Sequence, residues 1–269
     1  MDKRDLKEVY RPIQAELKLV KKAVKNQLKI DDVSVSGILT YFFKRPGKLF
    51  RPALVILSAK TLTKGNGTPL FQRQMVNLAA AVELIHDASL IHDDVIDEGR
   101  ERRQQVTLHR KYGNRTAIMT GDFLYSRAFS FALELPGPVV NLLCRATARM
   151  CLGEIQELKI AGAADYLQMI ENKTAFFISA CCQAAGMIAG ARSREVKNLA
   201  DYGLHLGMAY QVRDDLIDSE GAFLKNPDLR VKELAVKAKK SIRNLPETIF
   251  KEKMLELADY LLTTKGGAK

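Results

Sequence analysis

The sequence predicts an all-α protein, and three observations carry that expectation. Apolar residues recur at three- and four-residue steps through most of the chain. Clusters of Gly and Pro fall between those periodic stretches. No alternating apolar–polar run flanked by turn signals argues for a sheet. The helical stretches, in order, are Leu6 to Leu28, Ala53 to Leu62, Leu70 to Ile91, Ala117 to Leu135, Val139 to Ile160, Tyr166 to Ala189 and Val196 to Ile217. Arg45-Pro46-Gly47 separates the first from the second, and Lys64-Gly65-Asn66-Gly67-Thr68-Pro69 the second from the third. Tyr112-Gly113-Asn114 precedes the fourth, and Leu135-Pro136-Gly137-Pro138 precedes the fifth. Thr174 to Ala191 carries no charge and is long enough to raise the question of a membrane span. Its Ser179, Gln183 and many small residues dilute the hydrophobicity, so it reads as a buried core helix. From Arg230 to Lys253, Lys and Arg mixed with a few Glu read as a solvated amphipathic helix pair. With no low-complexity segment and no long linker, residues 1–269 read as one domain, a helical bundle with its site in the core between helices.

Composition limits the partners. The chain has 269 residues, 47% of them hydrophobic, enough to bury a sizeable core. Its 42 Lys+Arg against 31 Asp+Glu give a net charge of +11, which favours anionic partners: phosphorylated substrates, an acidic membrane surface or nucleic acid. No zinc-finger spacing and no aromatic–basic strand signature supports nucleic acid. The four cysteines, Cys144, Cys151, Cys181 and Cys182, form no C-x-x-C pair and read as reduced core thiols of a cytoplasmic protein. Met1-Asp2-Lys3-Arg4-Asp5 is too charged for a secretory signal.

The chemistry is concentrated in an aspartate cluster that occurs twice. His92-Asp93-Asp94-Val95-Ile96-Asp97 and Arg213-Asp214-Asp215-Leu216-Ile217-Asp218 are both Asp-Asp-x-x-Asp, and each closes a long apolar stretch. A helix running through either motif places Asp93 with Asp97, and Asp214 with Asp218, on one face. Paired carboxylates on an apolar face repel each other and resist burial unless cations neutralise them. Oxygen ligands that leave several positions to water and phosphate suit Mg²⁺. One such motif alone is commonly a solvated helix end. Two copies in a basic protein read as the two jaws of a metal–diphosphate site.

Basic and polar groups fit the same site. Gly47-Lys48-Leu49-Phe50-Arg51-Pro52 puts two cations three residues apart at a helix start, where free N–H groups favour an anion. His86 lies two turns before Asp93, Arg102 and Arg103 follow Asp97 closely, and Lys173-Thr174 open the uncharged helix. Each of these alone is weak: such a His is more often a satisfied core residue, and basic residues before a helix are usually solvated.

Together these segments resemble the all-trans polyprenyl diphosphate synthases, from about Gly47 to Asp218. The matching motifs are Gly47-Lys48-x-x-Arg51-Pro52, Glu83-Leu84-Ile85-His86-x-x-Ser89-Leu90-Ile91-His92-Asp93-Asp94-Val95-Ile96-Asp97-Glu98, Arg102-Arg103, Gly121-Asp122-Phe123-Leu124, Lys173-Thr174 and Gln211 to Asp218. The resemblance implies an isoprenoid-synthase helical bundle with a central active-site cavity, a homodimer, and three Mg²⁺ ions bound with substrate diphosphate. It implies Asp93, Asp97, Asp214 and Lys173 as the catalytic set. Asp93 and Asp97 hold two ions, and Asp214, with Asp218 near it, the third. Lys48, Arg51, His86 and Arg103 then bind isopentenyl diphosphate, while Arg102, Lys173, Thr174 and Gln211 surround the allylic diphosphate. It also implies a peripheral membrane contact for product release.

The chain departs from the family pattern in two places. Gln104 and Val106 stand where the family usually has Gly and Pro. Only Ser219 to Lys269 follow the second motif, a shorter region than the family's, and no segment there matches its Gly-Lys closing element, so Lys225 is not given that lysine's role. Three readings remain: a chain-elongating prenyltransferase, a non-catalytic or regulatory homologue, and a terpene cyclase, against which Lys48, Arg51 and His86 count because a cyclase needs no second diphosphate site. In the family the side chains just before the first motif line the tunnel for the growing tail. Ala88 and Ser89 are small there, with Ile85 and Val82 one and two turns further back, and the motif's Asp-Asp-Val-Ile-Asp-Glu form resembles long-chain members. A product longer than C20 is expected.

Overall fold

The computed structural model describes residues 3–63, 65, 67–217 and 224–263. Asp218, the last aspartate of the second motif, lies outside them. The chain opens with α1 (Lys3–Tyr10), a 3₁₀ turn (Arg11–Ile13) and α2 (Gln14–Gln27). The single helix expected over Leu6 to Leu28 is thus interrupted at Pro12, whose missing N–H and fixed φ are tolerated only near a helix start. A helix not foreseen in the sequence follows, α3 (Val33–Phe43). Asp32 caps it, its Oδ1 accepting from the N–H groups of Ser34 (2.9 Å) and Val35 (3.0 Å). α4 (Phe50–Leu62) and α5 (Pro69–Ile96) come next, the latter capped by Thr68 Oγ1 with Pro69 in its first turn.

After α5 the structure corrects the expectation of no sheet. Residues 101–102 (β1) and 105–106 (β2) form a two-stranded antiparallel hairpin. Its two loop residues, Arg103 and Gln104, both have left-handed backbones, at φ 54° and 59°. That is the geometry a two-residue hairpin demands and which Gly or Asn adopts most readily. The departure from Gly at position 104 therefore falls at a strained turn. α3 holds this hairpin: Tyr41 Oη donates to Val106 O, and Gln105 Nε2 donates to Tyr41 O, both at 2.8 Å.

The remaining helices are α6 (Leu108–Tyr112), α7 (Asn114–Ala132), α8 (Gly137–Glu157), α9 (Ala163–Ile170), α10 (Phe176–Ile188), α11 (Ser193–Ile217), α12 (Pro227–Ser241) and α13 (Ile249–Thr263). A π-helical segment, Glu171–Ala175, joins α9 to α10, so the expected helix from Tyr166 to Ala189 bulges at Lys173. α5 packs on α7 and α4, while α10 packs on α11, α4 and α8. α4 is buried along nearly its whole circumference, Ala53 to Leu57 being fully enclosed, as befits a helix apolar all round. Phe177, Ile178, Cys181 and Cys182 bury α10 as expected. Cys144 and Cys151, in contrast, lie exposed on α8 and are not core thiols. Among the described residues, no helix is long and apolar enough to cross a membrane.

Two glycines let helices close on the π-helical segment. A Cβ on Gly153 of α8 would stand 2.3 Å from the Lys173 backbone N, and one on Gly207 of α11 would stand 2.6 Å from Ala175 Cα. Neither neighbour can yield, because both are backbone. Gly153→Ala is therefore expected to cost about 1–3 kcal/mol by overpacking, read as a lower urea midpoint. Gly137→Ala, with no atom within 4 Å of the new methyl, is the control and should leave the midpoint unchanged or higher. Equal midpoints for Gly153→Ala and wild type would show that the close approach is dispensable.

Candidate active site

The end of α5 carries the first aspartate motif. The helix runs to Ile96 with Asp97 as its cap, and the Asp97 N–H still donates to Asp93 O at 2.8 Å. Asp93 and Asp97 therefore share a face, as the spacing predicts. Asp94 points elsewhere: it is buried and accepts from Arg102 Nε at 2.7 Å, tying β1 to α5. Gly121 lets α7 meet the same end of α5, since a Cβ there would collide with the His92 ring. His92 Nε2 lies 3.1 Å from Ile118 O and 3.5 Å from Asp122.

Lys173 stands between the two motifs. Its Nζ meets Glu157 Oε2 at 2.5 Å and Glu154 Oε2 at 3.0 Å, both on α8. Burial alone would lower its pKa, but these carboxylates hold it above the usual lysine value. Its charge is felt by Asp93 on one side and by Asp215 on the other. Thr174, the next residue, donates to Gln211 Oε1 at 2.6 Å. Gln211 Nε2 in turn donates to Asp215 Oδ1 at 2.8 Å, and Tyr166 Oη donates to Asp215 Oδ2 at 2.5 Å. Asp215 is thus the buried anchor of the second motif. Asp214, one residue earlier, is only partly buried, and its charge reaches Tyr210.

A second cluster gathers around Arg51. Glu83, His86 and Asp87 on α5 all sense the charges of Arg51 on α4 and Arg103 in the hairpin. Arg103 Nη2 lies 3.4 Å from Asp87 Oδ1, and its Nη1 donates to Arg45 O at 3.3 Å. Arg51 Nε is buried with no hydrogen-bond partner among the described residues, a donor placed to take an acceptor. Burial, with Arg51, Arg103 and Arg102 nearby, holds the His86 pKa well below its ordinary value, which keeps the ring neutral at pH 7. Lys48 lies exposed just before α4. Tyr210 of α11 stacks on Phe50 at 5.4 Å and feels both Asp214 and Arg51, which links the two clusters.

The four non-glycine residues with positive φ among those described are Leu49, Glu98, Arg103 and Gln104, and all flank these clusters. Of the sequence-derived residues, Thr174 and Gln211 join Asp215 through hydrogen bonds beside Lys173, and Arg51, His86 and Arg103 share the second cluster, while Lys48 lies exposed before α4 and Asp218 lies outside the described residues. Glu154 and Glu157 do not stand out in the sequence, because two Glu three apart on a helix ordinarily read as a solvated face. The sequence marks Asp94 and Asp215 only as members of their motifs. In the structure Glu154 directly follows Gly153, the residue that admits the Lys173 backbone.

Among the described residues, no three His, Cys, Asp or Glu side chains converge tightly enough to hold a metal ion by themselves. The donor set nevertheless fits a hard cation that draws part of its oxygen shell from phosphate and water. Burial raises the Asp93 carboxyl to about 7, with Glu154 and Asp97 adding to it against Lys173 and Arg102. Burial also raises Glu154 despite Lys173. For both carboxyls the cost of burial outweighs the cations beside them. An acid whose pKa rises on folding holds its proton more tightly in the native state. Its contribution to stability is thus greatest below the ordinary 3.8 and declines as pH climbs toward 7. In EDTA, the unfolding free energy should fall through that window by up to about 1.4 kcal/mol per pH unit. Asp93→Asn should flatten the decline in urea titrations. Parallel slopes for the two proteins would remove Asp93 as its source.

Residues 33–226 match the family described as Polyprenyl synthetase. The chain is 32% identical over 228 residues to an octaprenyl diphosphate synthase of Haemophilus influenzae, covering 81% of this chain and 67% of that enzyme. It is 34% identical over 206 residues to the octaprenyl diphosphate synthase of Escherichia coli, covering 74% and 62% respectively. Among solved structures, a polyprenyl synthase from Caulobacter crescentus, crystallised with calcium and isoprenyl diphosphate, superposes with a TM-score of 0.87 at 23% identity, over 97% of this chain and 98% of that one. That last likeness is one of fold. With a family match over most of its length and relatives above 30% identity, the chain belongs to the polyprenyl synthetase family.

Proposed function

We propose that the chain is a prenyltransferase that condenses isopentenyl diphosphate with an allylic diphosphate, head to tail, giving a trans-polyprenyl diphosphate longer than C20. One observation carries the reading of the site: Lys173 sits between both aspartate motifs, its charge reaching Asp93 on α5 and Asp215 on α11. A diphosphate bound there would meet cations and metal-binding carboxylates together. Asp93, Asp97 and Asp214 would hold Mg²⁺; Asp218, which the sequence motif adds to this set, lies outside the described residues. The bound metal would supply positive charge to the leaving diphosphate.

The chain's own residues then divide the work. Lys173, Thr174, Gln211 and Arg102 bind the allylic diphosphate and take up negative charge as its C–O bond breaks. Arg51, Arg103, His86 and Lys48 bind isopentenyl diphosphate, whose terminal double bond attacks the allylic carbon. The new C–C bond forms as diphosphate departs, and a proton lost from the isopentenyl unit passes to that released diphosphate. The enclosed walls of α4, α5 and α10 keep out water that would quench the allylic cation. Ala88 and Ile85 are buried on α5 one and two turns behind Asp93, with Val82 deeper, and none is bulky enough to stop a growing tail early. The octaprenyl names of the relatives point the same way.

The remaining assignments belong to the same proposal: residues 1–269 act as one domain in the cytoplasm, as a homodimer. Ile118 and Phe129 on α7 and Leu152 and Ile155 on α8 are exposed apolar residues that a second copy would cover. Product release would bring a peripheral contact with a membrane.

Purified protein given Mg²⁺, farnesyl diphosphate and labelled isopentenyl diphosphate should release labelled products longer than C20. Asp93→Ala should lower turnover by several orders of magnitude through lost leaving-group stabilisation. Ala88→Phe should stop elongation after the first condensation. No incorporation by the wild type would leave the non-catalytic reading in its place, and a mainly C20 product would overturn the tunnel argument.

A further inference from the structure

Helix α5 carries two carboxylates that the proposed mechanism does not use. Glu83 and Asp87 are one turn apart and buried, at 6% and 3% exposure. A buried carboxylate is costly unless a cation or donors compensate it. Both lie toward Arg51 and Arg103, the guanidiniums assigned to isopentenyl diphosphate, and only Asp87 makes a direct ion pair, with Arg103 Nη2 at 3.4 Å.

Arg103 needs such a tether. It occupies the strained left-handed corner of a two-residue turn between very short strands, so the hairpin itself does little to aim its side chain. Its guanidinium is instead fixed on two sides. Nη1 donates to Arg45 O at 3.3 Å, and Nη2 reaches Asp87. The loop before α4 closes over it: a Cβ on Gly47 would stand 2.7 Å from Nη2. An arginine held this way loses less side-chain freedom on binding a phosphate than one that moves freely. Two of its donors are engaged, and the rest of the fork stays available for the substrate.

We propose that Asp87 is a positioning residue for isopentenyl diphosphate, fixing Arg103 against the Gly47 loop so that the cradle for the second diphosphate is formed before substrate arrives. The effect is selective. Asp87 faces the Arg51–Arg103 cluster, whereas the allylic side is built from Lys173, Thr174 and Gln211 on the π-helical segment and α11. The proposal rests on the prenyltransferase reading given above.

Asp87→Asn tests it, keeping the side chain's shape while removing its charge. KM for isopentenyl diphosphate should rise about tenfold, the effect of a weakened charge-assisted contact. KM for the allylic substrate and kcat should change less than about twofold. Asp87→Glu, which restores the carboxylate, should recover part of the loss. In an Arg103→Gln background, Asp87→Asn should add nothing, because the residue it positions is gone. Equal rises in both KM values, or additive losses in the double variant, would overturn the proposal in favour of a general structural role. Calorimetric titration of isopentenyl diphosphate with Mg²⁺ and no allylic substrate separates the two levels. Failure of the wild type to bind sinks both the functional reading and this inference. Equal affinity of wild type and Asp87→Asn sinks the inference alone.

Discussion

Negative charge buried along α5 is the constraint on which the rest of the site depends. Glu83, Asp87, Asp93 and Asp94 line a helix whose other fully buried residues are apolar, and three of the four are almost fully enclosed. Carboxylates in such surroundings repel one another and cost several kcal/mol each unless cations face them. The neighbouring elements supply those cations: Arg51 from α4, Arg102 and Arg103 from the hairpin, and Lys173 from the π-helical segment. The order of the fold follows from bringing these elements to α5.

That convergence explains the irregular parts of an otherwise regular bundle. Lys173 reaches the aspartates because the helix bulges where Gly153 and Gly207 allow two backbones to approach it. The hairpin turns on two left-handed residues because only a tight corner returns the chain in time for Arg102 to meet Asp94 and Arg103 to meet Asp87. α3 then pins the hairpin through Tyr41. Among the described residues, the non-glycine left-handed backbones all lie beside these charges.

How much of this was legible in the sequence depended on range. The helices with a clear three-to-four spacing, the breaks between them and the aspartate motifs were readable because each is a local pattern. α3 carries little of that spacing, because Leu39 is its one buried residue, and its Asp32 cap is evident only in the structure. The hairpin was missed because its strands are two residues long and its turn carries Arg-Gln rather than Asn-Gly. The motif spacing pointed to Asp93 and Asp97 correctly as a shared face. It could not show that Asp94 and Asp215 turn inward as anchors, since that depends on Arg102, Tyr166 and Gln211 from distant segments. Glu154 and Glu157 take their role from Lys173, which lies against them from another segment of the chain.

Excess buried carboxylate charge makes the site bind metal and diphosphate as a unit. Scanning calorimetry with an unreactive allylic thiodiphosphate, with and without Mg²⁺, tests it most directly. Neither ligand alone should move Tm appreciably, both together should raise it by several degrees (about 2.7 kcal/mol at a hundredfold excess over Kd), and Asp93→Asn should lose most of the joint shift. A diphosphate analogue that stabilises the chain equally well in EDTA would contradict it.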